Sequence, residues 1–128
     1  MDRHTKARLE KELVIWLVTA GADRRPQAVP VWFLWHGSSF LIYAQAGVKV
    51  RHVQSNPYVE LHLNSDPVGD DLVRVSGHAT IPKTQPPALK EPAYMRKYRG
   101  QIKAIGMTPE SFSERYHHPI RVRRLRFH

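Results

Sequence analysis

Cysteine is absent from this 128-residue chain. That excludes disulfides, thiolate metal sites and a thiol nucleophile, and it fits a reducing cytoplasm. Long apolar runs are absent too. The longest stretches, such as Val29 to Trp35, are far too short to span a bilayer. The first residues, MDRHTKARLEKEL, are charged and lack the apolar run of a signal peptide. Acidic residues are scarce, 11 Asp and Glu against 20 Lys and Arg, for a formal net charge of +9. Such a balance favours anionic partners: nucleic acid, an anionic membrane or a phosphorylated small molecule. The plain alternative is a solvated basic surface. No HExxH or HxxxH spacing joins the eight histidines, no GxSxG elbow occurs, and no helix-turn-helix or zinc-finger pattern is visible. Metal, serine-hydrolase and familiar nucleic-acid-binding motifs are therefore all missing.

What is present is a single domain's worth of core, with 41% hydrophobic residues. Residues 4–12 read as a charged helix. Leu13 to Thr19 is β-rich and apolar on both faces. Gln27 to Trp35 and Phe40 to Gln45 read as two strands joined at His36-Gly37-Ser38-Ser39. Pro30 implies a bulge or a local edge in the first of them. Gly47 to Ser55 reads as a short basic helix. Tyr58 to Asn64 and Leu72 to Ile81 are alternating strands, the latter with Val73, Val75, Gly77, Ala79 and Ile81 facing in. Pro82 to Pro92 is a proline-rich loop. Helices follow at 93–105 and from Thr108, a good N-cap with Pro109 behind it, to about Tyr116. Pro119 to Phe127 closes as a basic strand. The expected fold is mainly β: a six-stranded antiparallel split β-barrel with short peripheral helices, over residues 1–128 as one unit. Strands apolar on both faces imply that one barrel face is packed on a partner chain.

The most informative stretch runs from Gln27 to Pro57. Its aromatic residues, Trp32, Phe33, Trp35, Phe40 and Tyr43, either floor a pocket or pack in the core, with Phe33 and Trp35 on one face and Trp32 and Leu34 on the other. Lys49 and Arg51 follow at the start of a helix, where free amides add to their charge. A flat apolar wall followed by two cations suits a planar ring carrying a phosphate, as in a flavin-like cofactor. Arg121, Arg123, Arg124 and Arg126 are read either as an anion contact or as charges that guard an edge strand.

The order WLVTAGADRRPQAVPVWFLW, FLIYAQ, KVRHVQSNPYVELHL, VRVSGHATI resembles the pyridoxamine 5'-phosphate oxidase-like superfamily of FMN-binding split β-barrels. Pro26-x-x-x-Pro30-Val31-Trp32 and Lys49-x-Arg51-x-Val53-x-x-Asn56-Pro57 match its strand and helix patterns. The C-terminal part looks like the subgroup that uses the deazaflavin coenzyme F420. The resemblance implies a homodimer with cofactor sites at its interface and FMN or coenzyme F420 as the cofactor; the short apolar stretches leave no membrane partner expected. It assigns Lys49 to the cofactor phosphate, with Arg51 beside it. It sets Ala28, Pro30, Val31 and Trp32 on the strand that meets the ring, and Tyr43, Ala44 and Gln45 on the next. Two departures stand out. The turn that often reads D-G-R-P is Asp23-Arg24-Arg25-Pro26 here, and Gly47-Val48 replaces the hydroxyl residue that often precedes the lysine. The implied activity is hydride transfer between the cofactor and a small unsaturated or quinone-like substrate, with no catalytic side chain assigned. The other readings are a non-catalytic cofactor-binding module on the same fold and a basic nucleic-acid-binding protein.

Overall fold

The computed structural model describes residues 1–128. In chain order the elements are α1 (Arg3–Lys11), β1 (Ile15–Ala20), β2 (Pro26–Val31), β3 (Leu34–Trp35), β4 (Phe40–Ala44) and α2 (Val48–Ser55). Then come β5 (Tyr58–His62), β6 (Arg74–Thr80), a 3-10 turn at Ala88–Lys90, α3 (Pro92–Ala104), α4 (Pro109–Arg115) and β7 (His118–Phe127). The seven strands form one antiparallel sheet in the order β2-β1-β5-β6-β7-β4-β3. Its two end strands are joined by only Trp32 and Phe33. The sheet must therefore curl until its ends meet, and the mainly β split barrel follows from the topology.

The count is seven strands rather than six because the expected strand 27–35 is broken. The Phe33 amide donates to Tyr98 Oη at 2.8 Å, and the Phe33 carbonyl accepts from Lys97 Nζ at 2.9 Å. Both ladder groups of Phe33 are thus satisfied by α3 instead of by a neighbouring strand. Pro30 sits opposite Trp16 in an unbroken register, on the strand that ends the sheet order. It is the local edge, not a bulge, that absorbs its missing N–H.

Alternation fills the barrel. Ile15, Leu17, Phe33, Phe40, Ile42, Leu61, Val75, Ala79, Ile120 and Val122 meet inside it, and α2 plugs one end with Val50 and Val53. A second cluster lies outside. Leu34, Leu41 and Tyr43 project from the outer face of β3 and β4 onto Tyr94, Met95, Tyr98, Ile102 and Phe112 of α3 and α4. This explains the fully buried β4 without a partner chain: the protein's own helices cover its second face. Phe33 and Leu34 go to different clusters, as strand alternation requires. The helix that covers this face is well started. Thr108 Oγ1 accepts the Ser111 amide at 3.0 Å and Ser111 Oγ accepts the Thr108 amide at 3.0 Å, a reciprocal cap.

Two backbone features depart from regular alternation. Arg24 takes φ 63°, the left-handed region, at the position where the related turn carries glycine. Where β6 pairs with β7 the register shifts between Ser76 and His78, opposite Arg126 and Arg123, and Arg124 between them has φ 53°. This bulge inserts one residue, so Leu125 turns to the core and Arg124 does not. Gly77 makes it possible, since a Cβ there would stand 2.6 Å from Val122 Cγ1 and 3.0 Å from the Arg123 carbonyl.

Candidate functional site

The outer cluster is incompletely filled. Between the ends of β2 and β4, the start of α2 and the helices α3 and α4 lies a cavity of about 260 Å³. Pro30, Val31 and Trp32 form one wall; Tyr43 and Ala44 form the next. Tyr94, Ile105, Phe112 and Tyr116 close it from the helical side, and Lys49 is its single charged lining residue.

The walls are rigid for an identifiable reason. Tyr98, Trp32, Phe112 and Tyr116 stack as a column, with successive centroids 4.8, 5.4 and 4.5 Å apart and interplanar angles of 5°, 17° and 19°. The Tyr43 ring meets Tyr94 edge-on at 4.9 Å. Offset and edge contacts of this kind hold aromatic rings in fixed planes. Tyr98, at the base of the column, also donates to the Leu13 carbonyl at 2.7 Å.

The polar groups are few. Tyr43 Oη donates to the Pro86 carbonyl at 2.6 Å and accepts from Gln85 Nε2 at 3.1 Å. Desolvation raises its phenol above the ordinary range, against the lowering effect of Gln85. Burial raises the Tyr94 phenol much further, so it stays protonated. Tyr94 Oη is buried and has no hydrogen-bond partner. A hydroxyl left in that state costs roughly 1–3 kcal/mol. At the mouth, α2 begins after Gly47 with no side-chain cap and no acidic residue in its first turn. Its leading amides are thus left free for an acceptor.

Six residues singled out from the sequence line this cavity: Pro30, Val31, Trp32, Tyr43, Ala44 and Lys49. Three do not. Ala28 is exposed on β2, opposite Val18. Gln45 is exposed just beyond β4. Arg51 is exposed on α2 and lies about 200° around the helix from Lys49, at about 100° per residue. Sequence reasoning missed Tyr94, Ile105, Phe112 and Tyr116. The aromatic pairs Tyr94/Tyr98 and Phe112/Tyr116, each spaced i, i+4, mark one helical face. That spacing alone does not separate a pocket wall from a core.

Comparison with known proteins adds the family and the fold. The sequence pattern of the pyridoxamine 5'-phosphate oxidase family matches residues 1–128. The chain belongs to that family. Solved structures share the fold. An F420 reductase is 19% identical, covers 100% of this chain and 98% of its own, and superposes with a TM-score of 0.71. An FAD-binding protein from Mesorhizobium loti is 13% identical over 95% of this chain and 87% of its own, TM-score 0.64. HutZ, a heme storage protein from Vibrio cholerae, is 13% identical over 98% and 92%, also with a TM-score of 0.64. No curated protein sequence matches the chain. No helix of this family member is long and apolar enough to cross a membrane.

Proposed function

We propose that this protein is a flavin- or deazaflavin-dependent oxidoreductase that uses FMN or coenzyme F420 in the aromatic cavity. The observation that carries the reading is an aromatic cavity whose only charged lining residue is Lys49. Those residues fit the group. The cavity lies just below the size range of small-molecule sites, enough for a ring system but not for a whole cofactor with its tail. Trp32, Phe112 and Tyr116 supply apolar ring faces, and Lys49 with the first amides of α2 a seat for phosphate. Bound there, the cofactor supplies hydride chemistry between its ring and a small unsaturated or quinone-like substrate. The chain's own part is to orient the ring, neutralise the phosphate and exclude water. The +9 charge suits coenzyme F420 with its phosphate and carboxylates; FMN asks for less.

The reading includes a homodimer. The outer face of β1, β5 and β6 carries Val18, Tyr58, Glu60 and His78 around an open depression of about 570 Å³, and Tyr58 is 66% exposed. Tyrosine is enriched in interface cores, and a second copy seated on this face covers the exposed Tyr58 ring.

One observation favours a second reading, a non-catalytic cofactor-binding module. The cavity lining holds no carboxylate and no imidazole, so no side chain is poised as an acid or base near neutral pH. Fluorescence titration of the purified protein with coenzyme F420 and with FMN, followed by turnover with quinone and enone acceptors, separates the cases. Saturable binding with turnover supports the enzyme, and binding without turnover supports the module. No binding of either cofactor refutes both.

A further inference from the structure

An open, polar depression of about 540 Å³ lies at the hairpin end of β3 and β4, and no apolar residue lines it. His36, Ser38, Ser39, Glu91, Arg121 and Arg123 do. Its Ser39 end lies about 17 Å along β4 from Ala44 at the usual strand rise, while Gln85 links the two sites, accepting from Arg121 here and donating to Tyr43 Oη on the aromatic side.

The chain's arginine–carboxylate pairs are confined to Arg8, with Glu12 and Asp71. Arg121 has none. Its guanidinium is half-buried, and it donates to two neutral acceptors, Ser39 Oγ at 2.8 Å and Gln85 Oε1 at 2.6 Å. Glu91 lines the same cleft, but its carboxylate accepts from Gln85 Nε2 at 3.0 Å and pairs with no arginine. Arg121 lies opposite Leu41 and so projects from the outer face of the sheet. Arg123, two residues on and before the bulge, shares that face and is exposed. A cation partly withdrawn from water without a counter-charge is costly, and here a second cation stands beside it.

We propose that this cleft binds a small hydroxylated oxyanion. Arg121 and Arg123 receive its phosphate or carboxylate, Ser38 and His36 lie at the rim, and Glu91 accepts from a ligand hydroxyl. Glu91 sets the class, because it repels a bare polyanion and favours an anion that also carries a donor. Arginine suits either head group through its planar fork.

The test uses glycerol 3-phosphate and glycerate as probes, by calorimetry at constant ionic strength with amide shifts followed by NMR. Saturable millimolar binding of either probe is expected, with shifts at Ser38, Ser39, Arg121 and Arg123, and the tighter probe identifies the head group. Arg123→Gln, at an exposed position that leaves folding intact, weakens binding about tenfold or more. Arg3→Gln on α1 and Lys49→Ala at the aromatic cavity leave it unchanged, which separates this site from the proposed cofactor site. Failure of both probes to saturate overturns the proposal. So does Arg123→Gln binding like wild type, or Lys49→Ala abolishing the signal.

Discussion

Tyr98 and Phe33 meet where the barrel closes: the Phe33 amide donates to Tyr98 Oη at 2.8 Å, across the gap between β2 and β3. The same hydroxyl donates to the Leu13 carbonyl at 2.7 Å. One buried side chain from α3 thus ties the strand break to the segment entering β1, and it also supports the ring column of the cavity.

Tyr98→Phe keeps the ring and its stack on Trp32 but leaves the Phe33 amide and the Leu13 carbonyl without their partner. Each buried orphan costs roughly 1–3 kcal/mol. The expected loss of stability is therefore at least about 1 kcal/mol, read as a lower midpoint in urea unfolding with an unchanged slope. A midpoint equal to wild type means that the break is held by the Lys97 contact alone.

Two glycines should respond oppositely to the same change. Gly100 lies inside α3, and a Cβ there meets nothing within 4 Å. Gly100→Ala should stabilise by roughly 0.5–1 kcal/mol through helix propensity and a less flexible unfolded chain. Gly77→Ala drives a methyl against Val122 and the Arg123 carbonyl. Overpacking of that kind costs about 1–3 kcal/mol. Thermal unfolding of both variants beside wild type checks the signs; a stable Gly77→Ala would show that the bulge can relax.

The strands were legible because alternation is local. Val73 to Ile81 declares its inward face in the sequence, and Val75 and Ala79 lie in the barrel core. The break at Phe33 was not legible, because the groups that cause it, Lys97 and Tyr98, lie more than sixty residues away. The strand-borne wall of the cavity, Pro30 to Trp32, came with the family pattern. The helical wall, Tyr94, Phe112 and Tyr116, did not, since an apolar helical face looks the same over a core and over a pocket. Lys49 and Arg51, two residues apart, lie on different sides of α2, and only Lys49 lines the cavity. Arg124 shows the limit of alternation: only the register shift reveals why an arginine occupies what would otherwise be an inward position.

Lys97 provides a pH signature. Its ammonium lies 3.7 Å from the Phe33 ring centroid and donates to the Phe33 carbonyl. Burial lowers its pKa from 10.5 to about 8. Between those two values the unfolded chain binds the extra proton and the folded one does not. Stability attributable to this group therefore rises with pH across that window and is flat below it. Lys97→Met removes the titration. The difference between wild-type and variant stability, measured from pH 7 to pH 10.5, should grow in favour of wild type as pH rises. A flat difference means that Lys97 keeps an ordinary pKa.

Lys49 carries the most direct test of the proposed cofactor site. It is half-buried at the mouth of the aromatic cavity, and that cavity has no other charged lining residue. Lys49→Ala removes one charge-assisted contact to a phosphate, worth roughly 1.5–3 kcal/mol. Affinity for coenzyme F420 or FMN should fall about ten- to a hundredfold. Stability should hardly change, because a cation in the first turn of α2 opposes the helix dipole and has no ion-pair partner to lose. Arg51→Ala is the matched control: the same helix and the same charge, but the opposite side. Its effect should be confined to the long-range field, small and erased by added salt. Affinity measured for both variants at low and high salt decides the matter. If Arg51→Ala loses as much as Lys49→Ala at both salt concentrations, the phosphate lies on the outer side of α2 and the aromatic cavity is not its site.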